Sequence, residues 1–315
     1  MPTLIVLGAT GTIGRAVCLE ALTQGYRVVC LLRDAPKTLL PDGAEARILD
    51  LHDGTRLAAA MTGADGVISC IASRTGTPHN AWAVDHDAQL RALRATEHAK
   101  VPHFILLSAI CVQKPLLEFQ RAKLAFEATL QASPLRWSIV RPTAFFKSLS
   151  GQITRLQAGK PFLIFGDGTL TACKPISDRD LARFLLGCLT EPARWNQILP
   201  IGGPGPALSA RAQGEMLFDL LGKPPRFRSV PVGMMDAIIG VLGVLGRVSV
   251  TLRDKADFAR IGRYYATESM LVWDPARQVY DADATPEFGQ DTLRDHYAAV
   301  LAGKAQVDLG AHSVF

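Results

Sequence analysis

"TLIVLGATGTIGRAVCLEALTQGYRVVCLLRD", residues 3–34, reads as strand, glycine turn, helix and strand. Residues 3–7 are an unbroken apolar run, the pattern of a strand buried on both faces. After Gly14 the residues Ala16, Val17, Leu19 and Leu22 recur at helical spacing, and Gly25 ends the helix. The turn carries Gly8, Gly11 and Gly14, with Thr10, Thr12 and Ile13 among them. Each glycine has its own physical reason. Gly8 permits the tight turn, Gly11 lets backbone approach a pyrophosphate, and Gly14 lets helix touch strand. The phosphates then meet the free N–H groups of the helix N-terminus. A glycine turn alone is a weak sign of a nucleotide. Its place between a first strand and a first helix strengthens the reading.

Outward from this unit the rhythm repeats. "YRVVCLL" (26–32), "ARILDL" (46–51), "GVISCIAS" (66–73), "HFILLSAI" (103–110) and "RWSIVRPTAFF" (136–146) read as further strands. Helical patterns fill 57–61, 86–100 and 115–133 between them. Strict alternation predicts an α/β fold, a doubly wound parallel Rossmann-type sheet with a smaller C-terminal substrate lobe. The expected division is 1–145 for an NADP-binding domain. Residues 146–315 are then mostly substrate lobe, with segments returning to the first domain. Within that half, "PFLIFGDGTLTACKPIS" (161–177) reads as a hairpin around Gly-Asp-Gly. Residues 178–189 read as a helix capped by Ser177 or Asp178, and 211–222 as another. "VPVGMMDAIIGVLGVLG" (230–246) is too short to span a bilayer and contains Asp236. It is a buried or lobe-packing helix, an apolar substrate wall, or a patch touching a membrane surface.

Binding at the carboxyl ends of the strands assigns the rest of the cofactor site. Arg33 ends the second strand, where an acid would take the ribose 2′-hydroxyl of NAD. A guanidinium suits the 2′-phosphate of NADP, with Lys37 in support, and the expected cofactor is NADPH. Asp34 follows and competes for Arg33. Asp50 and Leu51 are placed to meet the adenine, and Ile71, Ala72 and Ser73 to flank the ribose and pyrophosphate.

Composition narrows the partners. The chain has 315 residues, 48% hydrophobic and 20% charged, which is a globular balance with ample core. The formal charge is +5 with no basic run, so a nucleic-acid partner is not expected. A mildly basic surface suits an anionic cofactor or an anionic membrane surface. The six cysteines form no C-x-x-C pair and no cluster with histidine, so no metal site is expected. A reducing compartment follows. The first strand starts almost at once, so a cytoplasmic location with no leader peptide is expected.

One position bears on the chemistry. In a carbonyl reductase with Tyr-x-x-x-Lys, the phenol exchanges a proton with substrate oxygen. Here "ICVQKPLLEFQRAKLAFE" (110–127) has Phe119 where that tyrosine belongs, with Lys123 in place and Ser108 upstream. Lys123 is then the catalytic candidate, binding the nicotinamide ribose and helping proton supply, or it is a solvated helix lysine. Phe119 is a wall of an apolar substrate site or ordinary core, and Phe145 is a second candidate wall. Loss of the phenol argues against oxygen-centred chemistry. It suits hydride addition to a conjugated C=C bond, or a protein that binds NADP without turnover.

"VQKPLLEFQRAK" (112–123), "IVRPTAFFKSL" (139–149), "YYATESMLVWDP" (264–275) and "TPEFGQDTLRDHY" (285–297) resemble the NADPH-dependent divinyl chlorophyllide a 8-vinyl-reductase family. This is an atypical, NmrA-like branch of the short-chain reductases. The resemblance spans nearly the whole chain. The glycine loop is generic, whereas the central and C-terminal strings are far more specific. The resemblance implies reduction of the 8-vinyl group of divinyl chlorophyllide, or a related chlorin, to ethyl in chlorophyll or bacteriochlorophyll synthesis. It also implies peripheral contact with a photosynthetic membrane. The proton donor stays open among Lys123, Tyr264, Tyr265 and water. Two other readings stand beside it: an NADP-binding redox sensor or assembly factor, and an alkene reductase for a small aromatic substrate.

Overall fold

The computed structural model describes residues 1–35 and 40–305. Lys37 lies outside them. Seven strands form one parallel sheet: β1 (Thr3–Leu7), β2 (Arg27–Leu32), β3 (Glu45–Ile48), β4 (Gly66–Ser69), β5 (His103–Leu107), β6 (Arg136–Pro142) and β7 (Gln197–Ile201). Their spatial order is β3-β2-β1-β4-β5-β6-β7. The order reverses at β1/β4, the switch point beside which sheets of this kind bind a dinucleotide in a crevice at the carboxyl ends of the strands.

Side chains explain why the sheet is covered on both faces. Along β1, Leu4 and Val6 join one core and Ile5 and Leu7 the other. Val28, Cys30 and Leu32 of β2 alternate with Val29 and Leu31 in the same way. Period-two alternation of buried side chains is what a strand with helices on both faces requires. Each such side chain is worth roughly 1.5–3 kcal/mol when removed from water. The first core packs under α1 (Thr12–Thr23). The second packs under α2 (Gly54–Met61), α3 (Gln89–His98) and α4 (Glu118–Gln131).

The C-terminal half contributes to this body as well as to the lobe. Helix α5 (Asp178–Thr190) supplies Leu181, Leu185 and Cys188 to the first core, and β7 extends the sheet beside β6. Ser177 caps α5, its Oγ accepting the Asp180 N–H at 3.0 Å. The lobe has a core of its own around Phe146, Phe162, Leu217, Phe218 and Tyr297. It includes α6 (Ala210–Leu220) and α9 (Leu293–Leu301), numbered with two helices between them, α7 (Val232–Leu245) and α8 (Val250–Thr267).

Two expectations are corrected. Residues 161–177 do not form a hairpin. Phe162–Phe165 pairs in parallel with Phe227–Val230, and Ala172–Cys173 pairs antiparallel with Leu208–Ser209. Distant partners fit the apolar faces of these short strands better than each other, so Gly166 and Gly168 turn the chain without closing a ladder. Nor is the apolar segment 230–246 buried. It forms α7, and none of that helix's residues is buried.

Candidate active site

The glycine turn folds as its spacing requires. Gly8 has φ +76°, and a Cβ there would lie 2.6 Å from the Cys70 carbonyl oxygen. A Cβ on Gly14 would overlap the Gly8 carbonyl. Gly11 is different. Its φ of −79° suits any residue, and no side chain caps α1. A Cβ on Gly11 would lie 3.3 Å from the Gly8 carbonyl oxygen, so glycine keeps the turn close, and the first turn of Thr12, Ile13 and Gly14, with no side-chain cap, fits a dinucleotide pyrophosphate.

Lys147 reaches this loop from after β6, its Nζ donating to Thr12 Oγ1 at 3.0 Å. It brings a cation to where phosphates would sit. The loop thus has a second electrostatic partner that the glycine spacing did not reveal. Asp178 stands on the other side of Lys147. Burial pushes its carboxyl up, and the lysine opposes the shift. One Asp178 oxygen, Oδ1, is buried without a hydrogen-bond partner among the described residues.

The ends of the next strands carry the other cofactor candidates. Arg33 is exposed at the end of β2, with Nε 2.8 Å from Asp34 Oδ2. Its guanidinium is therefore shared with a neighbouring acid rather than locked in the core. Asp50 is exposed, and its Oδ1 accepts the His52 N–H at 2.9 Å. Leu51 is half-buried against the second core. Beyond β4, Ala72 is exposed, and the Ser73 N–H donates to Asp85 Oδ1 at 3.2 Å.

That aspartate is the residue the sequence did not single out. Asp85 sits in a wide π-helical segment, Trp82–Ala88, ahead of α3. Such a segment re-aims side chains that a regular helix would leave outside. Its side chain is fully buried and pairs with Lys123 Nζ at 2.9 Å. Lys123 on α4 is itself only 12% exposed. Asp85 Oδ2 has no partner among the described residues. Lys123 is therefore a largely buried, paired group, joined through Asp85 to the Ser73 backbone, and not a solvated helix lysine.

One turn further along α4, Glu127 takes up Ser108. The serine hydroxyl donates to Glu127, which also pairs with Arg141. Ser108 is thereby held in a buried network with Glu127 and Arg141. Phe119 is 8% exposed and packs with Ala81, Ile110, Ala122, Tyr264 and Met270. Phe145 is half-buried at the rim of the first core and bridges Ile176. The Tyr264 phenol donates to the Cys111 carbonyl at 3.0 Å, and burial pushes its pKa up. This bond ties α8 to the segment that follows β5. Tyr265 beside it is 46% exposed.

The long sequence strings turn out to be partners. Gln113 accepts the Trp273 N–H at 2.9 Å and donates to the Leu271 carbonyl. Lys114 pairs with Glu268 at 2.7 Å and lies over the Trp273 ring. Buried Gln120 folds the loop back by accepting the Leu116 and Leu117 N–H groups and donating to the Cys111 carbonyl. The last string grips the start of α5. Asp180 accepts the Gln290 and Asp291 N–H groups, each at 2.9 Å, and Lys174 pairs with Glu287 at 2.6 Å. Gly289, with φ +92°, lies so close that a Cβ would overlap the Asp180 carboxylate.

A family model described as NAD(P)H-binding matches residues 8–192. Over 99% of its length the chain is 47% identical to the chloroplastic divinyl chlorophyllide a 8-vinyl-reductase of Oryza sativa subsp. indica, of which it covers 82%. The chain belongs to the divinyl chlorophyllide a 8-vinyl-reductase family. It is an oxidoreductase with an NADPH site. A more distant similarity joins this reductase to the photosystem II assembly factor Ycf39 of Trieres chinensis, 27% identical over 82% of the chain and 81% of that protein. Among solved structures, the reductase fold superposes on the NADPH-dependent quinone oxidoreductase QOR2 of Escherichia coli, complexed with NADPH. The TM-score is 0.65 with 16% identity, covering 95% of this chain and 99% of that one.

Proposed function

We propose that this protein uses NADPH to reduce the 8-vinyl group of divinyl chlorophyllide, or a closely related chlorin, to ethyl in chlorophyll or bacteriochlorophyll synthesis. The full-length relationship to the rice enzyme carries the reading. The interlocked strings around Gln113, Lys114 and Glu268 support it, because the segments that carry the resemblance to that family meet in the fold.

Bound NADPH supplies a hydride to the alkene. The chain's residues would do the rest. Gly8, Thr10, Gly11, Thr12, Ile13 and Gly14 would hold the pyrophosphate, with Lys147 adding charge. Arg33 would leave Asp34 for the 2′-phosphate, a better bidentate partner. Asp50 and Leu51 would flank the adenine, and Ala72 and Ser73 the ribose. Lys123, fixed by Asp85, would hold the nicotinamide ribose and stand as the nearest proton source. The exposed edges of Phe119 and Phe145 would border the macrocycle. Residues 1–145 act as the cofactor unit and most of 146–315 as the substrate lobe. We place the protein in a reducing compartment, cytoplasmic and in peripheral contact with a photosynthetic membrane. All six cysteines are free, which suits that setting.

The test is turnover. Folded, NADPH-loaded protein should convert divinyl chlorophyllide to a product heavier by two hydrogens, with a Soret band at shorter wavelength and no added flavin or metal. The resemblance to the assembly factor favours a second reading, NADP binding without turnover. A folded, loaded protein that leaves the pigment unchanged would support it.

A further inference from the structure

Helix α7 is apolar on every side except Asp236, and no residue of it is buried. Its inner residues Met235, Ile239 and Leu242 are partly covered. Met234, Ile238, Val241 and Leu245 recur at helical spacing on the outside, each 45–61% exposed. Val248 and Val250 continue the patch over the turn into α8, with Val248 88% exposed. A run of this kind on a globular surface marks a contact with something apolar.

Charge indicates what that partner is. Residues 223–263 contain eight Lys and Arg against three Asp, an excess of five, which equals the formal net charge of the entire chain. Asp236 is neutralised by Arg263 and Asp257 by Arg260. Arg228, Arg247, Arg253 and Lys255 are exposed and form no ion pair among the described residues. Arg247 sits next to Val248 at the turn itself. An apolar stripe flanked by free cations is the chemistry of a helix lying in an anionic lipid surface. At about 21 Å from its 14 residues, α7 is long enough to lie in the interface and too short to cross it. No described helix is long and apolar enough to cross a membrane.

The stripe is separate from the cofactor crevice. Helix α8 meets the crevice wall through Ile261, against Gly76, and Tyr264, against Cys111. It holds α7 through other residues, Arg263 on Asp236 and Arg253 against Gly246.

We infer that the outer face of α7, with the α7–α8 turn, docks this protein on an anionic lipid surface. This deepens the peripheral membrane contact in the proposed function by naming the surface and the lipid charge it reads. The experiment is sedimentation of the full chain with vesicles of phosphatidylcholine, with and without phosphatidylglycerol. Binding to the anionic vesicles should be on the order of tenfold tighter, or more, and should weaken with added salt. Ile238→Glu with Val241→Glu should reduce it by a similar factor. Melting, NADPH binding and turnover of detergent-dispersed chlorophyllide should stay unchanged. A Val241→Trp variant adds a reporter that tolerates the fold; its emission should shift to the blue on anionic vesicles and be quenched by brominated lipid.

Four results would overturn the inference. One is no vesicle binding by wild type; another is binding that the paired substitutions leave intact. A third is a soluble dimer dissolved by those substitutions without lipid binding, which would make a second copy the occupant. The fourth is a raised KM for dispersed chlorophyllide in the paired variant, which would make the face a substrate wall. Normal turnover without vesicle binding sinks this inference alone. Vesicle binding without turnover sinks the reductase reading instead.

Discussion

Lys123 and Asp85 form an ion pair with little water around it, which makes each costly to remove alone. Lys123→Met leaves a buried carboxylate, and Asp85→Asn leaves a near-buried ammonium. Either should destabilise by about 3–5 kcal/mol, read from denaturant midpoints. The double variant should recover much of that loss, because neither charge remains. Turnover should not recover with it, since the group proposed at the nicotinamide ribose is gone. A double variant with wild-type NADPH affinity and turnover would reduce the pair to a packing feature. Arg33 calls for a different experiment because it is exposed and, among the described residues, pairs with Asp34. Arg33→Ala should weaken NADPH binding by roughly 1–3 kcal/mol and leave NADH binding nearly unchanged. Titration with both cofactors checks it, and equal wild-type affinities would contradict the 2′-phosphate role. Arg33 was legible in the sequence because it ends an obvious strand. Asp85 was not, because "WAVDHDA" looks like a solvated polar stretch until the π-helical turn points one acid inward.

At the scale of elements, β5 carries a built-in pH sensitivity. His103 is 1% exposed; its Nε2 meets Ser138 Oγ at 3.1 Å and its Nδ1 has no partner among the described residues. Burial lowers its pKa from 6.5 to about 4, with Arg136 adding to the shift. Above pH 6.5 the ring is neutral in both folded and unfolded chains and costs nothing. As the pH falls toward 4, the unfolded chain takes a proton that the folded one refuses, so stability drops. The full loss is about 3 kcal/mol, reached below pH 4. His296, lowered by burial too, acts in the same direction. His103→Asn should flatten the fall of Tm between pH 6.5 and 4; an unchanged slope would show that other groups dominate. The elements themselves were readable where burial on both faces leaves continuous apolar runs, as in β1 and β2. The short strands at 162–165 and 172–173 were not, because their partners lie far along the chain. Helix α7 was legible as an apolar helix but not as a surface one. Apolar composition implies burial only when something covers every side, and here α8 covers one side in part while the other stays exposed.

At the scale of the molecule, the doubly wound sheet places the glycine turn, Arg33, Ser73 and Lys123 along one edge of carboxyl ends. The C-terminal strings then clamp the lobe across it through Gln113, Lys114 and Asp180. The sheet and cofactor loop followed from elementary patterning, since a parallel sheet and a pyrophosphate impose strict spacing. The substrate did not follow from patterning. It rests on the full-length kinship, because Phe119 and Phe145, proposed to border the macrocycle, are apolar side chains that any flat ligand could use. The most direct test therefore follows the reacting hydrogen. Single-turnover reaction with NADPH carrying deuterium at the transferable nicotinamide position should place one deuterium from the cofactor and one hydrogen from solvent in the 8-ethyl group, leaving the 3-vinyl group intact. Folded, cofactor-loaded protein that returns the pigment unlabelled and unreduced would contradict the account.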